Sequence, residues 1–126
     1  MRPSDVSGTW TLTEGSRQVL PDGLQKASAS LVLKPDGTFV ASEMPGLFFF
    51  PGLRDMQAES GTGMWRLRID EGTQVQLVFR AITGWDKSRL PFGGHVGVSQ
   101  GWSGLSLYYF IGDADEGKRV SFERAR

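Results

Sequence analysis

The strongest constraint on this chain is an alternation of apolar and polar residues with period two. It recurs in eight short segments separated by turn signals. The segments are Thr9–Thr13, Ser28–Lys34, Thr38–Glu43, Gly63–Asp70, Gln74–Ala81, Gly94–Gln100, Leu105–Ile111 and Arg119–Arg124. Alternation of this kind places one face of each strand in a core and the other in water. The expected inward residues are Trp10 and Leu12; Leu31 and Leu33; Phe39 and Ala41; Trp65, Leu67 and Ile69; Val75, Leu77, Phe79 and Ala81; Leu105, Leu107, Tyr109 and Ile111; and Val120, Phe122 and Arg124.

No segment carries a helical period, so no helix is expected to cover the sheet. Eight consecutive antiparallel strands then have two exposed edges unless the sheet closes. We therefore expect an all-β, eight-stranded antiparallel up-and-down barrel spanning residues 1–126 as one domain, with a two-sheet sandwich as the alternative. The connections differ between the two ends. Those around 35–38, 71–73 and 101–104 are tight, and Gly37 suits a left-handed turn position. Those at 14–27, 43–61 and 83–94 are long, with 112–118 shorter. One end is expected to be pinned shut and the other decorated by loops, the polarity of a barrel that binds at its mouth.

One long connection is unusual. It reads MPGLFFFPGLRD from Met44 to Asp55, with Phe48, Phe49 and Phe50 between two Pro-Gly pairs. Pro45 and Pro51 argue against a helix or a central strand there. The same end holds Trp85, Arg89 and Phe92, with Lys87 between them, and Arg17 and Arg54. Aromatics mixed with a few cations suit a small aromatic or anionic ligand, or a protein partner. A lid that folds its rings over the core is the plain alternative. Six rings face inward: Trp10, Phe39, Trp65, Phe79, Tyr109 and Phe122. They should fill most of a small barrel, leaving no deep lipid cavity. The hydroxyl of Tyr109 would need a partner there, and a ligand is one candidate.

The resemblance to known barrels rests on SGTWTL at Ser7–Leu12 and VSFER at Val120–Arg124. The chain resembles the calycins, the superfamily of lipocalins, fatty-acid-binding proteins and avidins. LKPDGTF and YYFIGDADEG are similar in style to small lipocalin-like proteins of bacteria. It departs from the lipocalin pattern in its short length and in having no Thr-Asp-Tyr motif. The resemblance implies that Gly8, Trp10 and Arg124 form the barrel closure, the guanidinium packing across the indole. The loop-rich end and its aromatics, on a barrel of this type, lead us to expect a non-enzymatic, lipocalin-like binding protein taking a small hydrophobic or aromatic ligand at the mouth, through Phe48, Phe49, Phe50, Arg54, Trp85, Arg89, Phe92 and Tyr109. An immunity or inhibitor protein using the triple-Phe loop is the alternative, with homodimerisation through that loop as a variant. A barrel-templated cyclase or isomerase ranks below both.

Other chemistry is weaker. Lys and Arg number 14 and Asp and Glu number 14, which does not suit a general nucleic-acid binder. With no Cys, thiolate zinc sites, disulfides and cysteine nucleophiles are excluded. His95, the single histidine, has no orienting carboxylate nearby in sequence and reads as a surface residue. Asp113, Asp115 and Glu116 begin like a calcium loop, but the later ligands are missing, so an acidic turn is expected. Arg66 and Arg68 fall on an outward strand face. No metal, cofactor or membrane span is expected. The start lacks an apolar leader core, so no signal peptide is expected and the chain as given reads as cytoplasmic.

Overall fold

Alternating apolar residues that must leave water on one face only are satisfied here by a sheet that closes on itself. The computed structural model describes residues 1–20, 28–45, 58–69, 72–84, 87–102, 104–111 and 118–125. Eight strands, β1 (Gly8–Leu12), β2 (Ser30–Leu33), β3 (Thr38–Pro45), β4 (Ala58–Arg68), β5 (Gln74–Ile82), β6 (Phe92–Gly101), β7 (Gly104–Ile111) and β8 (Lys118–Arg124), follow one another around a closed antiparallel barrel. The sandwich alternative is thereby set aside.

The six rings assigned inward from the alternation are all buried in one core, with Leu31, Leu33, Val75, Leu77, Val96, Leu107 and Val120. Phe39 and Phe79 meet edge to face at 4.8 Å, and Tyr109 stacks near Phe122 at 5.9 Å. Where two strands approach closely the sequence supplies glycine. A Cβ on Gly63 would lie 1.9 Å from the Val78 carbonyl oxygen and 3.0 Å from Phe39.

The hairpin end is locked by side chains. In the β2–β3 turn, the Asp36 carboxylate accepts from the Thr38 amide at 2.9 Å and the Thr38 hydroxyl at 2.6 Å. These bonds to the charged form hold its pKa below the usual carboxylate value. The Trp65 indole N–H donates to the Lys34 carbonyl at 2.9 Å, tying β4 to the same turn.

Two short helices were not expected. α1 (Pro3–Val6) starts with proline at its first position and buries Val6 under the hairpin end. α2 (Glu14–Val19) is capped by Thr13, whose Oγ1 accepts from the Ser16 amide. Both are too short for a hydrophobic period to show. Their signals are local caps, and Thr13 was assigned to a strand end.

Two inward assignments are corrected. Ile69 is 56 % exposed, because β4 ends at Arg68 and the chain has already left the barrel wall. Ala81 is exposed and Ile82 buried, because a register shift between Thr62 and Gly63 reverses the alternation at the end of β5. Arg124, aligned with Val120 and Phe122 on β8, is exposed at the end of the barrel and packs across Trp10 there. Phe92, placed in a connection from the sequence, opens β6 and packs partly buried against the core.

The tight approach at Gly63 gives a direct test. Gly63→Ala should destabilise the fold by about 2–3 kcal/mol through overpacking. Gly94→Ala, where a Cβ meets nothing within 4 Å, should stay within about 0.5 kcal/mol of wild type. Urea unfolding of both variants measures the difference.

Candidate functional site

The barrel has a sealed end and a dressed end, and each is built from identifiable residues. At the sealed end, β1 meets β8 through three register pairs, Trp10 with Arg124, Thr11 with Glu123 and Leu12 with Phe122. The Arg124 guanidinium lies 4.5 Å over the Trp10 ring and donates to the Ser7 carbonyl at 2.8 Å and to the Asp5 carbonyl. The Trp10 indole N–H donates to the Val6 carbonyl at 2.9 Å. Indole and guanidinium together therefore accommodate the carbonyls leaving α1, which caps this end. Gly8 is the residue that makes room. Its φ of +135° is open to glycine, and a Cβ there would stand 2.9 Å from Arg124 Nη1.

At the opposite end the core is topped by aliphatic side chains. Leu20, Ala29, Met44 and Ile82 are buried, and Leu90 and Phe92 pack against them as partly buried neighbours in the same cluster. Two bulges at this rim aim the key residues. In β3 the register shifts between Ala41 and Met44, and Glu43 takes a φ of +48° while its amide donates to Ser60 Oγ at 2.9 Å. That shift turns Met44 inward. The β4–β5 irregularity does the same for Ile82. Met44, Ile82 and Leu20 are buried at the mouth end of the core, and sequence alternation did not identify them. A bulge is invisible to a period-two reading, although the side-by-side Glu43–Met44 and Ala81–Ile82 pairs mark where the pattern breaks.

Of the residues assigned to binding from the sequence, Phe48, Phe49, Phe50, Arg54 and Trp85 lie outside the described residues. Arg89 ends a 3-10 turn, Lys87–Arg89, just before the mouth segment Leu90–Phe92. Tyr109 sits inside the wall, and burial pushes its phenol pKa far above the ordinary value. It is part of the buried core cluster, near the mouth end of β7. Arg17 of α2 pairs with Glu14 at 3.6 Å.

The outer wall carries the remaining polar residues. His95 is exposed on β6. Arg66 Nε donates to Gln76 Oε1 at 2.8 Å along the β4–β5 face. Tyr108 lies flat against Gly97, with Arg119 stacked 4.1 Å over its ring and Phe110 edge-on at 5.9 Å. Asp113, Asp115 and Glu116 lie outside the described residues, and among those described no cluster of three metal-ligating side chains occurs. No described helix is long and apolar enough to cross a membrane.

Two outcomes follow from these sites. Arg124→Ala should cost about 1–3 kcal/mol, since it removes a cation–π contact and leaves carbonyls of α1 without their donor. Arg124→Lys should recover only part of this, because a point ammonium cannot serve two carbonyls and a ring together. For Tyr109, the neutral phenol is favoured in the folded state, so the unfolded chain loses its proton first. Stability should fall as pH rises past about 10, and Tyr109→Phe should blunt that fall in unfolding curves taken at successive pH values.

No protein-family model matches this chain, and no curated protein matches it in sequence.

Proposed function

We propose that this protein is a non-enzymatic, lipocalin-like binding barrel that holds a small hydrophobic or aromatic ligand at its mouth. The observation that carries the reading is the asymmetry of the closed barrel. Its hairpin end is sealed by Trp10, Arg124 and α1, and its interior is filled by rings. A ligand therefore has no deep lumen to enter and must rest on the floor formed by Leu20, Met44 and Ile82. A thioether in that floor favours adaptable apolar contact. The connections leaving this end carry Phe48, Phe49, Phe50 and Trp85 in their sequence, which suits a shallow apolar site closed from above. The eight-stranded barrel and the Gly8–Trp10–Arg124 closure also support a calycin-type assignment.

The four tryptophans make the site testable. Trp10, Trp65 and Trp102 belong to the hairpin end, and Trp85 belongs to a connection at the mouth. Titration with a panel of small apolar fluorophore-quenching ligands, such as medium-chain fatty acids and naphthalene derivatives, should give saturable quenching. Trp85→Phe should remove that quenching while leaving the circular dichroism spectrum unchanged. Quenching that survives the substitution, or none across the panel with folded protein, would overturn the assignment. The same titration of a variant with Phe48, Phe49 and Phe50 replaced by Ser should show at least a tenfold weaker Kd, equivalent to about 1.4 kcal/mol.

A further inference from the structure

The barrel wall has a seam that its own strands leave open. β6 pairs with β5 over Phe92–Gly97 and with β7 only over Gly97–Gly101. β7 in turn pairs with β8 as far as Ile111. Only Gly97 is bonded on both sides. Beyond it, towards the mouth, the β6 segment 92–96 and the β7 segment 109–111 diverge.

The pairing pattern shows which backbone groups face the seam. The Val98 amide donates to the Thr73 carbonyl at 3.0 Å, so even-numbered β6 residues direct their N–H and C=O towards β5. Gly93 and His95 therefore direct theirs towards β7. By the same alternation from the Gly97–Tyr108 pair, Phe110 directs its own towards β6. The β6–β7 register ends at Gly97–Tyr108, so among the described residues Gly93, His95 and Phe110 have no ladder pair across the seam. A hollow of about 420 Å³ reaches from residues 72–74 at the start of β5 across His95 and Gly97 of β6 to Tyr108, Tyr109 and Phe110 of β7, and so overlies the seam. A second hollow of about 200 Å³ adjoins it at His95, with Arg68 and Gly93 in its wall. A Cβ at Gly93 or Gly94 would meet nothing within 4 Å, so there is open space on both faces of the strand there.

We infer that the β6 edge at Gly93 and His95 is a docking site for an extended peptide that adds to the sheet as a strand and carries acidic side chains on its outward face. Paired N–H and C=O groups two residues apart match the repeat of an extended backbone. The flanking side chains set the preference for alternate residues. On the outward side stand His95 and Arg119, whose guanidinium lies over the Tyr108 ring, and no described carboxylate lines the larger hollow. On the inward side, buried Val96 and Tyr109 border the seam and favour an apolar residue. Native edges are normally blunted by charge, proline or a covering element. Here the glycines at 93 and 94 do the opposite. This site is on the wall and is independent of the mouth.

Hydrogen exchange on the full chain provides the test. In the free protein the amides of Gly93, His95 and Phe110 should exchange without protection, while those of Val96 and Val98 are protected by β5. Capped peptides of about seven residues, alternating Glu with Val, Leu, Thr or Phe, should then protect the three seam amides and bind with Kd between about 1 μM and 1 mM. N-methylation of alternate peptide amides should abolish binding, and Lys in place of Glu should weaken it about tenfold. Gly93→Pro, which removes an N–H that β5 does not use, should weaken binding about five- to tenfold. If that variant does not fold, the N-methylated peptides on the wild-type chain decide the matter alone. Protected seam amides in the free monomer, equal binding of N-methylated peptide, or no binding across the series would overturn the inference. Concentration-dependent self-association that protects the same amides would overturn it in favour of a second copy of the chain.

Discussion

Closure of the barrel depends on a short ladder between β1 and β8. Three register pairs carry it, far fewer than join β4 to β5. Main-chain bonding this sparse has to be reinforced, and the chain reinforces it with side chains at both ends. At the hairpin end Arg124 bridges the Trp10 ring to the carbonyls leaving α1. At the mouth end β1 gives way to α2 just as β8 still has a donor to satisfy. Thr13 donates its amide to the Ser121 carbonyl at 3.0 Å, but the Ser121 amide goes to the Ser16 hydroxyl at 2.8 Å. The first turn of the helix thus stands in for the strand residue that is missing. Ser16 is the one buried polar side chain among the described residues, and it is buried because it completes this bond.

The same economy shapes the mouth. A regular strand would carry its alternation to the rim and point polar residues over the core. Bulges at the ends of β3 and β5 interrupt the alternation and bring Met44 and Ile82 inward. The Glu43 backbone, held at a positive φ and tied to Ser60, is the local cost of that re-aiming. Strain at a barrel rim, coupled to an apolar floor, fits a surface shaped for contact.

The regular parts of this fold were legible in the sequence and the irregular parts were not. Trp10, Leu31, Phe39, Trp65, Val75, Leu77, Phe79, Leu107 and Phe122 lie where the alternation puts them, because a half-buried strand leaves no other solution for its apolar face. Gly8, Trp10 and Arg124 were legible from a short resemblance, and the structure brings them into contact. The misplaced residues have a common cause. Ile69 and Ala81 sit where a strand ends or a bulge resets the register. α1 and α2 are specified by Pro3 and Thr13 rather than by any repeating pattern. Of the candidate site, Phe92 and the neighbourhood of Arg89 were placed at the correct end, while the floor residues and the β6–β7 seam depend on pairing that no single strand encodes.

Set side by side, the two thin seams of this barrel were treated differently. Both leave main-chain groups beyond the end of a ladder, and an uncovered edge is a hazard in any β protein. At β1–β8 the side chains of Trp10, Arg124 and Ser16, together with the Thr13 amide, bond what the ladder does not. At β6–β7 the chain supplies Gly93, Gly94 and Gly97, which cannot cover anything, and surrounds them with His95 and Arg119. Tyr108 lies over Gly97 under the Arg119 guanidinium, so the last closed pair is stacked, while beyond it the described residues of β6 and β7 form no ladder pair. A chain that reinforces the first seam with three side chains and places glycines along the second treats its two short ladders differently. The difference in treatment is what gives the open seam its meaning as a surface kept accessible for an incoming strand.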